Sequence, residues 1–218
     1  MLTIFLLGLP LAYFLGAIPT AVWISRRVYR QDIRTLGSLN AGSTNMYRVF
    51  GFKAGLATQL IDISKGAAAA AIPLLLGLQS PPDDPYRVVA QLACGLVAVV
   101  GHMFTVFAGW RGGKGVNAAL GMMLVIDPWV ALAAAAVFVG VLLLGRMVSL
   151  ASMVAVISYP VFKLIQLVQI PTGGISATGI LLGFGVMLAV LVIYAHRANL
   201  SRIRAGTESR IPLGRKPA

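Results

Sequence analysis

Apolar runs about as long as a bilayer is thick follow one another through this chain, and its charges fall almost entirely between them. A helix needs roughly 20 apolar residues to cross the hydrocarbon core. Backbone surrounded by lipid must satisfy its own N–H and C=O groups, which for runs of this kind means helices. Candidate spans are Leu2–Ile24, Ala54–Leu78, Val88–Ala108, Val116–Ile126, Trp129–Leu144, Leu150–Val168 and Ala177–Ala195. The fourth is short and could line a protein-packed cavity instead of crossing. With 11% charged residues, against about 25% in soluble domains, the chain lacks the polar material to coat a water-facing surface. The expectation is an all-α, polytopic integral membrane protein of about seven transmembrane helices, forming a single domain over residues 1–218.

Charge sets the expected orientation. With seven crossings, the stretches 25–53, 109–115, 145–149 and 196–218 lie on one side and hold nearly all of the 18 lysines and arginines. The opposite stretches hold Arg87 with Asp83, Asp84 and Asp127. Basic loops stay in the cytoplasm, so the N-terminus is expected outside and the C-terminus inside. Pro81-Pro82, Asp127-Pro128 and Pro171-Thr172-Gly173-Gly174 read as outer turns. Met1–Trp23 lacks the positive start of a signal peptide and is long enough to be a first span.

The 18 basic against 6 acidic residues do not indicate nucleic acid. The cations sit in short pieces between spans and cannot form one continuous tract. They suit an anionic substrate at the membrane surface. Cys94, the only cysteine, lies in an apolar run and reads as a small buried hydrophobe. No spacing suits zinc or an iron–sulfur cluster, and no acidic cluster suits Mg²⁺. That argues against metal-dependent phosphatidyltransferases. No metal or other cofactor is expected.

Three segments, at 37–48, 101–115 and 196–210, exceed what a connection needs. The first packs Gly37, Ser38, Asn40, Thr44 and Asn45 ahead of Arg48. Its glycines allow consecutive N–H groups to face an anion, and the guanidinium can hold a phosphate. In the second, Gly112-Gly113-Lys114-Gly115 lacks the Ser or Thr and the preceding strand of a Walker loop. It still leads glycine-rich backbone and a cation into a helix N-terminus. The third, from His196 to Arg210, follows the last span directly. On residues alone a flexible polar loop, a tight turn and a lipid-bound basic tail remain open for the three. Asp62 and Lys65 can pair across one helical turn, most simply in a structural role. Lys163 is expected to snorkel to the outer interface.

Together the three segments resemble the bacterial membrane-embedded acyl-phosphate:glycerol-3-phosphate acyltransferases. The first matches Gly-Ser-x-Asn-x-Gly-x-Thr-Asn-x-x-Arg from Gly37 to Arg48. The second matches Gly101 and His102 through Phe104 and Phe107 to Gly112–Gly115. The third matches His196, Arg197, Asn199, Arg202, Gly206 and Glu208. Thr105 departs from a frequent proline, and Asn117-Ala118 from Ala-Thr.

The resemblance implies transfer of a fatty acyl group from acyl phosphate to the sn-1 hydroxyl of glycerol 3-phosphate. Lysophosphatidate and inorganic phosphate would form at the cytoplasmic face of a bacterial inner membrane. Ser38, Arg48, Lys114, His196 and Asn199 are the expected catalytic residues. Gly37, Asn40, Thr44, Asn45, His102, Gly112, Gly113, Gly115, Ser149, Ser152, Arg197, Arg202 and Glu208 are expected around the substrates. Partners are glycerol 3-phosphate, long-chain acyl phosphate and membrane lipids, with a monomeric enzyme and no nucleic acid. The His-x-x-x-x-Asp pair of acyl-CoA acyltransferases is absent, since Phe107 and Ser201 stand five residues after the two histidines. The competing reading is a transporter of phosphorylated or anionic solutes, which would want polar residues along a path through the bilayer.

In a Cys94→Ser background, an impermeant thiol reagent should label Arg48→Cys, Lys114→Cys and His196→Cys from the same, cytoplasmic side. Labelling from opposite sides would overturn the orientation.

Overall fold

Among the described residues every regular element is helical, as expected where lipid offers the backbone no hydrogen bonds. The computed structural model describes residues 4–169 and 176–211. The Pro171–Gly174 turn, the start of the first span, Arg215 and Lys216 lie outside them. The chain folds as two compact units, Met1–Asp127 and Pro128–Ala218.

In the first unit a π-helical turn, Ile4–Gly8, runs into α1 (Leu9–Gly16), followed by α2 (Thr20–Val28), α3 (Ser43–Phe50), α4 (Phe52–Leu75), α5 (Pro85–Met103) and α6 (Val116–Ile126). The second unit contains α7 (Pro128–Gly145), α8 (Val148–Gln169), α9 (Ala177–Ala195) and α10 (Arg197–Arg204). Asp84 starts α5 by accepting the Tyr86 N–H at 3.0 Å with Pro85 at the first helical position. Ser176 starts α9 by accepting the Gly179 N–H at 3.1 Å.

The protein is an all-α, polytopic membrane protein. Five stretches among the described residues are long and apolar enough to cross a bilayer: Leu6–Val28, Pro85–Ala108, Pro128–Gly145, Val148–Gln169 and Ala177–Ala195. That is fewer than the seven spans expected. α4 has 24 residues, roughly 36 Å at 1.5 Å per residue, but Asp62 and Lys65 lower its hydropathy. α6 has 11 residues, a little over half the length a crossing takes.

The expected first span is not one helix. It breaks at Ala17–Pro19, where proline cannot continue the hydrogen-bonded ladder. The carbonyls left over are satisfied from neighbouring elements. Thr105 Oγ1 donates to the Ala17 carbonyl, and Lys65 Nζ donates to the Ile18 carbonyl at 2.9 Å. Lys163 also differs from expectation. It is buried in α8 with its Nζ donating to Gln166 Oε1 at 3.0 Å, rather than snorkelling.

Small residues set the helix spacing, since lipid removes the hydrophobic drive between helices. A Cβ on Gly66 of α4 would run into the Ala118 carbonyl of α6, and a Cβ on Gly121 of α6 would run into the Ile63 carbonyl of α4. The same holds for Gly16 of α1 against the Ala98 carbonyl of α5. Cys94 is fully buried in a cluster with Ala12, Ala69, Ile72 and Ala98, the bland role its apolar surroundings suggested.

Gly66→Ala should therefore lower the thermal midpoint in detergent, overpacking of this kind costing about 1–3 kcal/mol. Gly183→Ala, whose added Cβ meets nothing within 4 Å, should leave the midpoint unchanged or slightly raised.

Candidate active site

The polar loop at 37–48 is organised by one buried side chain. Asn45, in the first turn of α3, accepts the Ser38 N–H through Oδ1 at 2.9 Å. Its Nδ2 reaches the carbonyls of Leu36 at 2.9 Å, Asn40 at 3.1 Å and Ile33 at 3.2 Å. An amide nitrogen offers two donors, and these contacts engage both. Asn45 was expected beside substrate; here it holds the loop together. Gly37 has φ +56°, and a Cβ there would strike Asn45 Oδ1. Leu39 also takes a left-handed φ of 59°, a strained state that persists only where surroundings impose it. The product is an exposed Ser38 and an exposed Arg48 on either side of a tight scaffold.

Two of the six cations between residues 25 and 53 share one carboxylate. Asp32 pairs with Arg26 at 2.8 Å and with Arg34 at 2.8 Å, and Arg34 also donates to the Ala108 carbonyl at 2.6 Å. Hydrogen bonds from Arg34 hold the Asp32 carboxyl well below the usual carboxylate range. Arg48 has no ion-pair partner among the described residues.

The second glycine segment folds tightly over the end of α5. The Gly112 N–H donates to the Met103 carbonyl at 3.0 Å and the Gly113 N–H to the His102 carbonyl at 3.2 Å. Side chains at these two positions would collide with the His102 carbonyl and with His102 Nε2. The glycine-rich sequence suggests N–H groups free for an anion here; those of Gly112 and Gly113 are instead bonded within the turn, which the two glycines shape. Gly115, at φ +80°, is the N-cap of α6, so the unpaired N–H groups of a helix start belong to the first turn of α6. Lys114 lies between turn and helix. Asn117 Nδ2 donates to Ser43 Oγ at 2.9 Å, joining the starts of α6 and α3. His102 itself is buried, with Nδ1 3.6 Å from Asp62 Oδ1.

In the second unit the third segment closes on itself around Glu208. Its Oε1 accepts from Ser149 Oγ at 2.7 Å and from Asn199 Nδ2 at 2.7 Å, and its Oε2 accepts from Arg202 Nε at 2.8 Å. The Ile211 N–H donates to the Arg146 carbonyl at 2.7 Å, fastening the chain beyond Glu208 to the α7–α8 turn. Burial acts to raise the Glu208 carboxyl, but the bonds from Ser149, Asn199 and Arg202 outweigh it and hold it below the usual range. Ser149 and Arg202 thus face Glu208. His196 is buried at the C-cap of α9 with Nδ1 2.8 Å from the Val192 carbonyl, which places the proton on Nδ1 and makes Nε2 the acceptor of the neutral ring. Ser152 is buried in α8. Arg197 turns outward, with its guanidinium 4.5 Å from the Tyr194 ring.

Within the first unit the Asn117–Ser43 hydrogen bond joins the start of α6, after the second motif, to the first motif. Within the second the structure joins Ser149, Asn199, Arg202 and Glu208. The parts played by Asn117 and Asp32, and the reach of Asp62 to Thr20 and His102, went unnoticed in sequence. Only the Asp62–Lys65 spacing signalled any of them.

A family model described as glycerol-3-phosphate acyltransferase matches residues 6–206. A glycerol-3-phosphate acyltransferase of Chlorobaculum parvum is 42% identical, covering 97% of this chain and 98% of its own length. One of Salinibacter ruber is 41% identical, covering 96% and 92%. Among solved structures, PlsY (YgiH), an integral membrane glycerol 3-phosphate acyltransferase, matches in its glycerol 3-phosphate form. Its TM-score is 0.80, with 34% identity and 94% of each chain covered. Its lysophosphatidic acid form matches with a TM-score of 0.77 and 33% identity.

Because the folded Glu208 is more acidic than an unfolded glutamate, its contribution is complete above about pH 4.3 and is lost as pH falls through the folded value. Glu208→Gln should destabilise the protein by about 1–3 kcal/mol at pH 7. Detergent melts should show the gap from wild type constant down to about pH 4.3 and narrowing only as the pH falls below it.

Proposed function

The chain belongs to the glycerol-3-phosphate acyltransferase family, and on that ground we propose that it moves a fatty acyl group from a long-chain acyl phosphate to the sn-1 hydroxyl of glycerol 3-phosphate. The glycerol oxygen bonds to the acyl carbon, the acyl carbon–phosphate oxygen bond breaks, and inorganic phosphate leaves with the electron pair. Lysophosphatidate remains in the membrane. An acyl phosphate is an activated mixed anhydride, so neither ATP nor a covalent enzyme intermediate is required.

The observation that carries the reading is the distribution of positive charge. Arg26 and Arg34 are tied to Asp32, Lys65 to Asp62 and Arg202 to Glu208, whereas Arg48 stays exposed beside a rigid glycine-rich loop. Arg48 and Lys114 grip phosphate, each a charge-assisted contact. Ser38 and Asn199 hydrogen-bond the glycerol phosphate or the developing oxyanion. His196 orients the glycerol hydroxyl or takes its proton, a task the bound phosphate can share. In the first unit Gly37, Asn40, Thr44 and Gly115 serve substrate binding; in the second unit Ser149, Ser152, Arg197, Arg202 and Glu208 do.

The solved relatives with glycerol 3-phosphate and with lysophosphatidic acid support substrate and product of this kind. The enzyme sits in the bacterial inner membrane as a monomer acting as one catalytic domain. Counting α4 and α6 with the five longer stretches makes seven segments. Their basic connections put the N-terminus outside and the C-terminus and chemistry in the cytoplasm.

Purified protein given an acyl phosphate and glycerol 3-phosphate should form lysophosphatidate and release phosphate. No product from folded protein would sink the assignment. Arg48→Ala and Lys114→Ala should each cut turnover by about 10²-fold or more while the detergent particle stays monodisperse. Near-normal rates in both would remove the phosphate clamp.

A further inference from the structure

Asp62, Lys65 and His102 bury ionisable groups where no substrate-binding role is assigned to two of them. They are 2%, 4% and 7% exposed. Charges this deep are retained only where their geometry is well paired, and an ion pair that merely cancelled itself would need two members. This network has more. Asp62 Oδ1 accepts from Thr20 Oγ1 at 3.0 Å, pairs with Lys65 Nζ at 2.8 Å and faces His102 Nδ1 at 3.6 Å. Lys65 reaches on to the Ile18 carbonyl. One carboxylate thus ties together the break between α1 and α2, the middle of α4 and the end of α5.

The far end of the network touches the glycine turn. His102 accepts the Gly113 N–H through its carbonyl and, by its ring Nε2, occupies the space a Gly113 side chain would need. Lys114 is the next residue. A ring that rotated or dropped would remove the floor of the turn. Asp62 opposes this by facing the ring, its Oδ1 3.6 Å from Nδ1.

We propose that Asp62 is a positioning residue for the reaction, holding His102 beneath Gly113 and so fixing where Lys114 is presented. The proposal rests on the reading of Lys114 as a phosphate ligand for its functional consequence, but not for its structural content. Asp62 meets no substrate. Its effect on catalysis runs through Lys114.

The test uses the whole protein in detergent with Asp62→Asn and Lys65→Met combined, so that neither charge is left buried alone. Methyl acetimidate, a small amine reagent, is applied, and the modification rate of Lys114 is followed by peptide mass spectrometry. That rate should change at least threefold. In the same variant kcat/KM for glycerol 3-phosphate should fall tenfold or more, whereas in a Lys114→Ala background the paired change should cost twofold at most. Unchanged labelling of Lys114 overturns the proposal whatever the activity. Losses that multiply in full in the Lys114→Ala background overturn the claim that the effect passes through Lys114. If Lys114→Ala alone retains near-normal activity, the phosphate clamp falls, and the labelling rate still decides the positioning claim. Should the paired variant not remain monodisperse, His102→Gln takes its place. It keeps an amide under the turn but loses the ring, and Lys114 labelling decides in the same way.

Discussion

A carbonyl without a hydrogen-bond donor costs several kcal/mol inside a bilayer, and the break at Ala17–Pro19 releases carbonyls within a membrane-spanning stretch. Thr105 and Lys65 supply the missing donors. Lys65 can be buried there because Asp62 balances its charge, and Asp62 is steadied by Thr20 from the start of α2. The first unit is organised outward from this exchange. Around it α1, α4, α5 and α6 approach to distances that leave room only for glycine at Gly16, Gly66 and Gly121. The network ends at His102, under the turn that carries Lys114.

The two units solve the same electrostatic problem in different ways. In the first, Asp32 absorbs Arg26 and Arg34, so the basic loop presents less free charge than its composition suggests. In the second, Glu208 gathers Ser149, Asn199 and Arg202 into one buried cluster and folds the chain after α9 back towards the start of α8. Asp32, Asp62 and Glu208 each set the geometry of neighbours that are themselves donors. With only 6 acidic residues against 18 basic ones, the chain commits half of its carboxylates to arranging cations.

Much of this was legible in advance. Periodic apolar runs and the one-sided placement of arginine and lysine predicted a polytopic helical membrane protein. The three polar segments, in order and at their spacing, carried the resemblance that the family match bears out. The number of crossings was harder to read. Hydropathy counts residues, and α4 carries an internally neutralised pair that a residue count scores as two charges. Individual roles were harder again. Asn45 and Glu208 look like substrate ligands in a polar motif, yet each bonds several groups of the protein itself. Asn117 looked only like a departure from a pattern, and it bonds Ser43.

Sequence alone determined which segments are apolar enough to leave water and which side chains are chemically able to meet a phosphate, because both properties belong to the residues themselves. Tertiary structure decided which of those side chains remain available. Availability depends on partners distant along the chain, such as Asp62 for His102 and Ser149 for Glu208, and such partners meet only when helices pack.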